Sequence, residues 1–420
     1  MGPIALFDKS FLQSLHIDES VWFDHYFYSN ICPLFFVETL ADLQKPNLPE
    51  DRSPEGDVST IAKKAPQTSG APCEHHRELF IQNLLGHSIP MTGQIPMAGA
   101  QTVRVKGKQE TRFDASPEAQ AFIRWQNGEF NLIERQYAAG WRKMLTELDL
   151  DAAAKSMNIL GITPKTCKSP EKAFEIAKSV VHSNEKPFEI MTLCFNFLQV
   201  PREYTEPILK RWSIDNYRPL PRYAPYAAYV LIVELFFQIA LGAKLISTGR
   251  PSNRADIAYL FYLPFCQIFL STDKLHRKCA PLFLRDDQDF VWGDDLKREL
   301  RRIDNHFSNL PAEELEKGIM SFAGTPCGEN DDLIIKLWDR HTPGWRRAQS
   351  NIKMSDKAQA ELVERMRQIK TAPTLESSEI DWEAKDEGNV SIQRNVQKKK
   401  GKWYQLPKNL KTDTSQDDSE

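Results

Sequence analysis

Cysteine is sparse and scattered. Its seven residues stand at 32, 73, 167, 194, 266, 279 and 327, with no CxxC pair among them. An odd, widely spaced set makes a poor disulfide framework and fits a reducing compartment, so a cytoplasmic protein is expected. An excess of positive charge is lacking too. Lys and Arg number 54 against 57 Asp and Glu, a formal net charge of −3. No global field therefore draws in nucleic acid, and any such contact must come from local basic patches. There is no GxxxxGK[ST] loop, which argues against an NTPase. The opening residues "MGPIALFDKSF" lack the basic stretch and long apolar core of a signal peptide. Leu6 stands where a myristoylation signal needs Ser or Thr. Only one apolar run approaches membrane length, "YAAYVLIVELFFQIALGA" at 226–243, and Glu234 and Gln238 interrupt it one turn apart. With no second span in sight it reads as a buried core helix, and no membrane association is expected.

What is present is the composition of a soluble globular chain, 41% hydrophobic and 26% charged over 420 residues. "PIALFDKSFL" reads as a short buried strand ending in a polar turn, and "DESVWFDHYF" and "CPLFFVETLADL" read as helices. Residues 45–72, rich in Pro, Ser, Gly and Asp, read as a long loop or linker. "TVRVKGK" alternates like a hairpin strand. "SPEAQAFIRW" and "SPEKAFEIAKSVV" both open with a strong helix start: Ser116 or Ser169 as cap, then Pro, then Glu. Residues 116–215 thus look like a run of helices.

Two segments share one design. "IALFD" and "QIFLSTD" each carry an apolar strand out to an aspartate, Asp8 and Asp273. In an open parallel α/β sheet, the carboxyl ends of the strands line the crevice where ligands bind. Glu38, on an early helix, and Asp256, at the start of the helix before "CQIFLS", are placed to reach the same rim. Four carboxylates meeting there repel one another and persist as ions only with cations between them. Such hard oxygen ligands suit Mg²⁺ or Mn²⁺, the equipment for cutting a phosphodiester.

The arrangement "ALFDKSFL" … "CPLFFVETLADL" … "RADIAYLFYLPFCQIFLSTDKLH" resembles the PIN domain, a family of metal-dependent nucleases common as toxin and RNA-processing ribonucleases. The resemblance implies an α/β fold, a parallel sheet flanked by helices. It implies Asp8, Glu38, Asp256 and Asp273 as the catalytic and metal-binding acids, with Mg²⁺ or Mn²⁺ as cofactor. Ser10, two residues after the first Asp, sits where such domains often place a small hydroxyl or amide residue. Asp42, one turn after Glu38, is a second supporting candidate, with a solvated surface acid as the plainer reading. The wide gap between Glu38 and Asp256 departs from the compact family pattern. The simplest account is a helical insertion, since loop-closure entropy grows only logarithmically with length. The expected division is a first PIN-like part at 1–44, a helical insertion at 45–220, a second PIN-like part at 221–290, a helical extension at 291–370, and a disordered tail at 371–420.

The activity implied is metal-dependent endoribonucleolytic hydrolysis, toxin-like or defence-related. Two alternatives stay open: a DNA-cutting nuclease of the same fold acting on single strands, and a non-catalytic interaction protein. In the latter, the insertion binds a protein partner, as an inhibitor of a toxin-like enzyme also would. "CEHH" at 73–76 has no second ligand pair, which argues against zinc. For substrate contact, "KRELRR" (297–302), "GWRRAQ" (344–349) and "KKKGKWYQLPK" in the tail pair basic groups with Trp345, Trp403 and Tyr404. A solvated basic face is the plainer reading of each.

Overall fold

A computed structural model describes residues 2–45, 48–347, 356–376, 378–381 and 390–410. At its centre is a five-stranded, all-parallel sheet. In chain order its strands are β1 (Ile4–Phe7), β2 (Tyr28–Ile31), β3 (Gly70–Pro72), β6 (Ile268–Ser271) and β7 (Asp289–Trp292). The hairpin strands β4 (Ala100–Val105) and β5 (Lys108–Phe113) intervene between β3 and β6. The spatial order is β3-β2-β1-β6-β7. Every pairing is parallel, with Leu6 beside Asn30 on one flank and Phe269 on the other. Parallel strands are covered on both faces, so they read as unbroken apolar runs rather than alternating ones. β6 follows this rule, all four of its residues being buried.

The chain leaves β1 outward through β2 and β3, then returns to the opposite side of β1 with β6. The topological switch point therefore falls between β1 and β6. That crevice, at the carboxyl ends of two neighbouring strands, is where an open α/β sheet offers a binding site.

The helices Ile17–Tyr26 and Gly293–Phe307 pack together beside the sheet. Between β5 and β6 the chain is helical, with Ser116 and Ser169 capping their helices as the sequence predicts. The helix Pro225–Gly242 is long and apolar enough to cross a membrane, yet 83% of it is buried inside the fold. It packs against the helices His76–Leu85, Leu150–Ile159 and Pro170–Val181. β4 and β5 join through Lys106 (φ 51°) and Gly107 (φ 83°), two positive φ values in succession as a tight hairpin turn demands.

Two expected boundaries are corrected. The helical insertion does not begin at residue 45. β3 and the helix Pro54–Lys64 fall in that stretch and build the central sheet and its cover. β3 is only Gly-Ala-Pro, an edge strand with no apolar run to betray it, in a position where proline is tolerated. Nor is the tail from 371 free of structure where it is described. β8 (Val390–Ile392) adds to β5, and β9 (Lys399–Lys400) pairs with β10 (Trp403–Tyr404). Residues 411–420 lie outside the described residues.

Trp403 anchors this return. It is 2% exposed, lies 4.7 Å from the Trp22 ring, and donates its indole N–H to Asp304 at 2.7 Å. Lys400 is buried with its ammonium on the Lys64 and Ala65 carbonyls, the C-terminal end of the helix Pro54–Lys64. A cation there opposes the negative end of the helix dipole. Burial nonetheless pulls its pKa down to about 8. Trp403→Ala should release residues 390–410, at a cost of up to about 3–5 kcal/mol if the tail and body unfold together. Limited proteolysis checks this. Cleavage within 390–410 should appear in the variant while wild type resists, and equal resistance would show that the tail holds without its anchor.

Candidate active site at the carboxyl edge of the sheet

The structure brings the four predicted acids together. Asp8 follows β1, and Asp273 follows β6 by two residues. Glu38 comes from the helix Pro33–Ala41 and Asp256 from the helix Asn253–Ala258. The Asp256 carboxyl feels the charges of Glu38, Asp273 and Asp8 at once.

Asp8 is 3% exposed and saturated with donors. Oδ1 accepts from the Phe11 N–H at 2.8 Å, as the cap of the helix Lys9–Ser14. The Ser10 hydroxyl lies 2.8 Å from both carboxylate oxygens. Oδ2 also accepts from the Ser271 hydroxyl at 2.7 Å and faces His276 Nδ1 at 3.0 Å. Ser10 Oγ in turn accepts from the Thr272 N–H and hydroxyl, tying the end of β1 to the end of β6.

His276, fully buried, is the candidate-site residue that sequence reasoning missed. Its Nε2 meets the Asp256 carbonyl oxygen at 2.6 Å, an atom that only accepts. Its Nδ1 meets the Asp8 carboxylate, towards which Ser271 already spends its proton. An Nδ1–H shared between Asp8 Oδ2 and the Ser271 hydroxyl, 2.9 Å away, makes both ring nitrogens donors, as in an imidazolium. Burial alone would lower its pKa. The hydrogen bond and charge of Asp8, with Asp256 behind them, outweigh that and raise it to about 9. A buried cation in this setting is a built-in counter-ion for the acidic cluster.

The other three acids keep part of their surface open. Tyr259 donates its hydroxyl to Glu38 Oε2 at 2.6 Å. Burial pushes the Glu38 carboxyl up, against the pull of Lys9 and Tyr259. Burial pushes Asp256 up to about 7, with His276 opposing and the neighbouring acids adding to the rise. Asp273 caps the helix Lys274–Cys279 through Oδ1, which accepts from the Leu275 N–H at 2.6 Å. Among the described residues, no donor reaches the Asp256 carboxylate, Glu38 Oε1 or Asp273 Oδ2. Asp42 is bound to Lys9 at 2.6 Å and Arg142 at 3.2 Å, and Lys9 also holds the Glu38 carbonyl oxygen at 3.1 Å. That lysine fixes the Glu38 helix against the end of β1.

In the basic segments considered for substrate contact, several charges are paired within the fold. Lys297 holds the Ser14 carbonyl, Arg301 pairs with Glu19, and Arg302 with Glu299 and Asp332. Arg298 pairs with Asp295. Trp345 and Trp403 are buried, with Lys402 on Asp304 and Arg346 on Asp339. Residues 348 and 349 of the second segment lie outside the described residues. In the "CEHH" stretch, His76 stacks on Phe261 with ring centroids 4.6 Å apart, and Cys73 is buried.

Among the described residues no three His, Cys, Asp or Glu side chains already close on one point as a metal cage. The donor chemistry nevertheless fits a hard divalent ion. The oxygens left without partners are carboxylate oxygens, gathered on one rim and partly accessible. In comparison with known proteins, no family model, no curated protein and no solved structure matches the chain.

Proposed function

We propose that this protein is a PIN-like endoribonuclease, hydrolysing phosphodiesters of single-stranded RNA with Mg²⁺ or Mn²⁺ at the crevice between β1 and β6. One observation carries the reading. Four carboxylates from distant parts of the chain lie within electrostatic reach of one another at the switch point of a parallel sheet, and three of them keep at least one oxygen that no donor reaches among the described residues. Carboxylates gathered at such expense to stability are a mark of function rather than of packing.

Glu38, Asp256 and Asp273 would hold the ion through these open oxygens, beside Asp8. A bound divalent ion supplies positive charge to phosphate oxygens and lowers the pKa of a coordinated water. The chain's own residues supply orientation. Ser10, Ser271, the Phe11 N–H and His276 lock the Asp8 carboxylate in one pose. Tyr259 holds Glu38 from its Oε2 side, leaving Oε1 without a donor among the described residues. Preorganised charge of this kind needs no rearrangement during reaction, which is where electrostatic catalysis draws its strength.

The test is cleavage of labelled single-stranded RNA and DNA of matched sequence, in Mn²⁺ and in EDTA. RNA should be cut in Mn²⁺ only, and Asp256→Asn should lower the rate by about 10²-fold or more. Cutting that persists in EDTA, or in Asp256→Asn at the wild-type rate, would refute the proposal. Preferential cutting of DNA would move it to the DNA-directed alternative.

A further inference from the structure

Several cations around the acidic crevice already have acid partners. Lys9 and Arg142 pair with Asp42, and Arg254 pairs with Glu234. The helix Lys274–Cys279, which Asp273 caps, differs. From Lys274 to Leu284 the sequence carries Lys274, Arg277 and Lys278 and no acid. Their spacing, i, i+3 and i+4, puts them on one helix face. All three are exposed, while His276 and Cys279 turn inwards and are buried. Among the described residues none of the three side chains makes an ion pair or a hydrogen bond.

The patch stands on the same edge of the sheet as the acids. Arg277 lays its guanidinium over the Trp292 ring, 5.0 Å from the centroid. Trp292 is the last residue of β7, which pairs with β6. The guanidinium is therefore near the carboxyl end of the strand next to the crevice, and neighbouring strands are about 5 Å apart. Packing between these strand ends is close. A Cβ at Gly293, the residue after Trp292, would come within 2.6 Å of Thr272, the residue before Asp273. The ring steadies the planar guanidinium and leaves the donors along its edge free. Two acids flank the patch without occupying it. Asp294 accepts the Trp292 indole N–H at 3.1 Å, and Glu171 feels the charge of Lys278 but forms no ion pair with it.

Four carboxylates repel a polyanion. His276 and one divalent ion offset them only in part, so a phosphate chain needs cations outside the acidic cluster to approach it. We propose that Lys274, Arg277 and Lys278 clamp the backbone phosphates of a single-stranded RNA, leading the strand from the β1/β6 crevice across the end of β7. Lys274 and Lys278 act as point charges, and Arg277 offers a fork of donors to two phosphate oxygens. Contacts of this kind position a strand and carry no sequence information. That the strand is cut beside the clamp rests on the nuclease reading, whereas its capture does not.

The experiment is a fluorescence-anisotropy titration of labelled single-stranded RNA with the full-length protein in EDTA, repeated over a salt series. Each neutralised phosphate of a single strand contributes about −0.7 to the slope of log K against log salt, so three contribute about −2. The combined variant Lys274→Gln, Arg277→Gln, Lys278→Gln should weaken binding at least about tenfold and flatten the slope by about 2, for RNAs of unrelated sequence alike. A thermal melt shows whether it is folded. Lys278→Gln alone should flatten the slope by about 0.7. Changing Lys155, Arg202 and Lys210 to Gln, all exposed on other helices, alters net charge equally and should leave the slope as in wild type. No RNA binding by wild type, an unchanged slope in the clamp variants, or an equal loss in the control overturns the clamp. Cleavage in Mn²⁺ is the second arm. RNA held through the three cations but never cut upholds the clamp and overturns the nuclease reading. Cleavage whose KM is unchanged in the combined variant does the reverse.

Discussion

Asp8→Asn should lose about 3–5 kcal/mol of folding stability and reduce RNA cleavage on the order of 10³-fold. The stability loss follows from what Asp8 holds. The substitution leaves a buried imidazolium without its counter-charge and turns an amide N–H towards donors that now lack an acceptor. Removing one member of a buried ion pair is far more damaging than replacing both. Urea denaturation in EDTA measures the effect with no contribution from bound metal. A double-mutant cycle with His276→Gln isolates the pair, and a coupling of about 2 kcal/mol is expected. A loss below about 1 kcal/mol in Asp8→Asn would mean that no imidazolium is paired there.

In EDTA, Asp256 and His276 in succession should each draw stability down as pH rises from about 4 to about 9, against the buried His25 and His76, whose lowered pKa values raise it as pH climbs to 6.5. Asp256 has a folded pKa of about 7 against an ordinary 3.8, so the folded state keeps a proton that the unfolded chain releases. Its stabilising contribution is intact below 3.8 and is lost as pH rises to 7. His276 has a folded pKa of about 9 against 6.5, so its contribution is intact below 6.5 and is lost as pH rises to 9. The His276 interval carries on the order of 3 kcal/mol. Lys400 acts in the opposite sense at higher pH. Its folded pKa of about 8 lies below 10.5, so stability recovers between those values. Urea midpoints of wild type and His276→Gln between pH 6 and pH 9 separate these terms. The decline should be much shallower in the variant, and parallel curves would rule out the imidazolium as its source.

The relation between sequence and site is uneven in an instructive way. Asp8 and Asp273 were visible because an apolar strand running into an aspartate is a local pattern, set by backbone periodicity and the solvation of one carboxylate. Glu38 and Asp256 were weaker signals, placed by their order around the two strands and strengthened by the resemblance, since an acid on a helix has many plainer uses. His276 was written in the same stretch as Asp273, yet nothing local marks it. Its role depends on Asp8, 268 positions away, and on the carbonyl of Asp256. The partners of the basic clusters were hidden for the matching reason. Sequence shows that Arg301 is charged, but not that Glu19 is waiting for it.

By itself the sequence determined the α/β class, the helix starts at Ser116 and Ser169, the burial of the apolar helix, and the strand ends that carry acids. Each depends on interactions within a few residues, which recur with the period of a helix or strand. Tertiary structure alone decided that Gly-Ala-Pro becomes an edge strand, that Trp403 closes the tail on Trp22, that His276 neutralises Asp8, and that Glu234 meets Arg254. These depend on which groups are desolvated together, because a charge's partner and a ring's neighbour come into being only when distant segments share one dry interior.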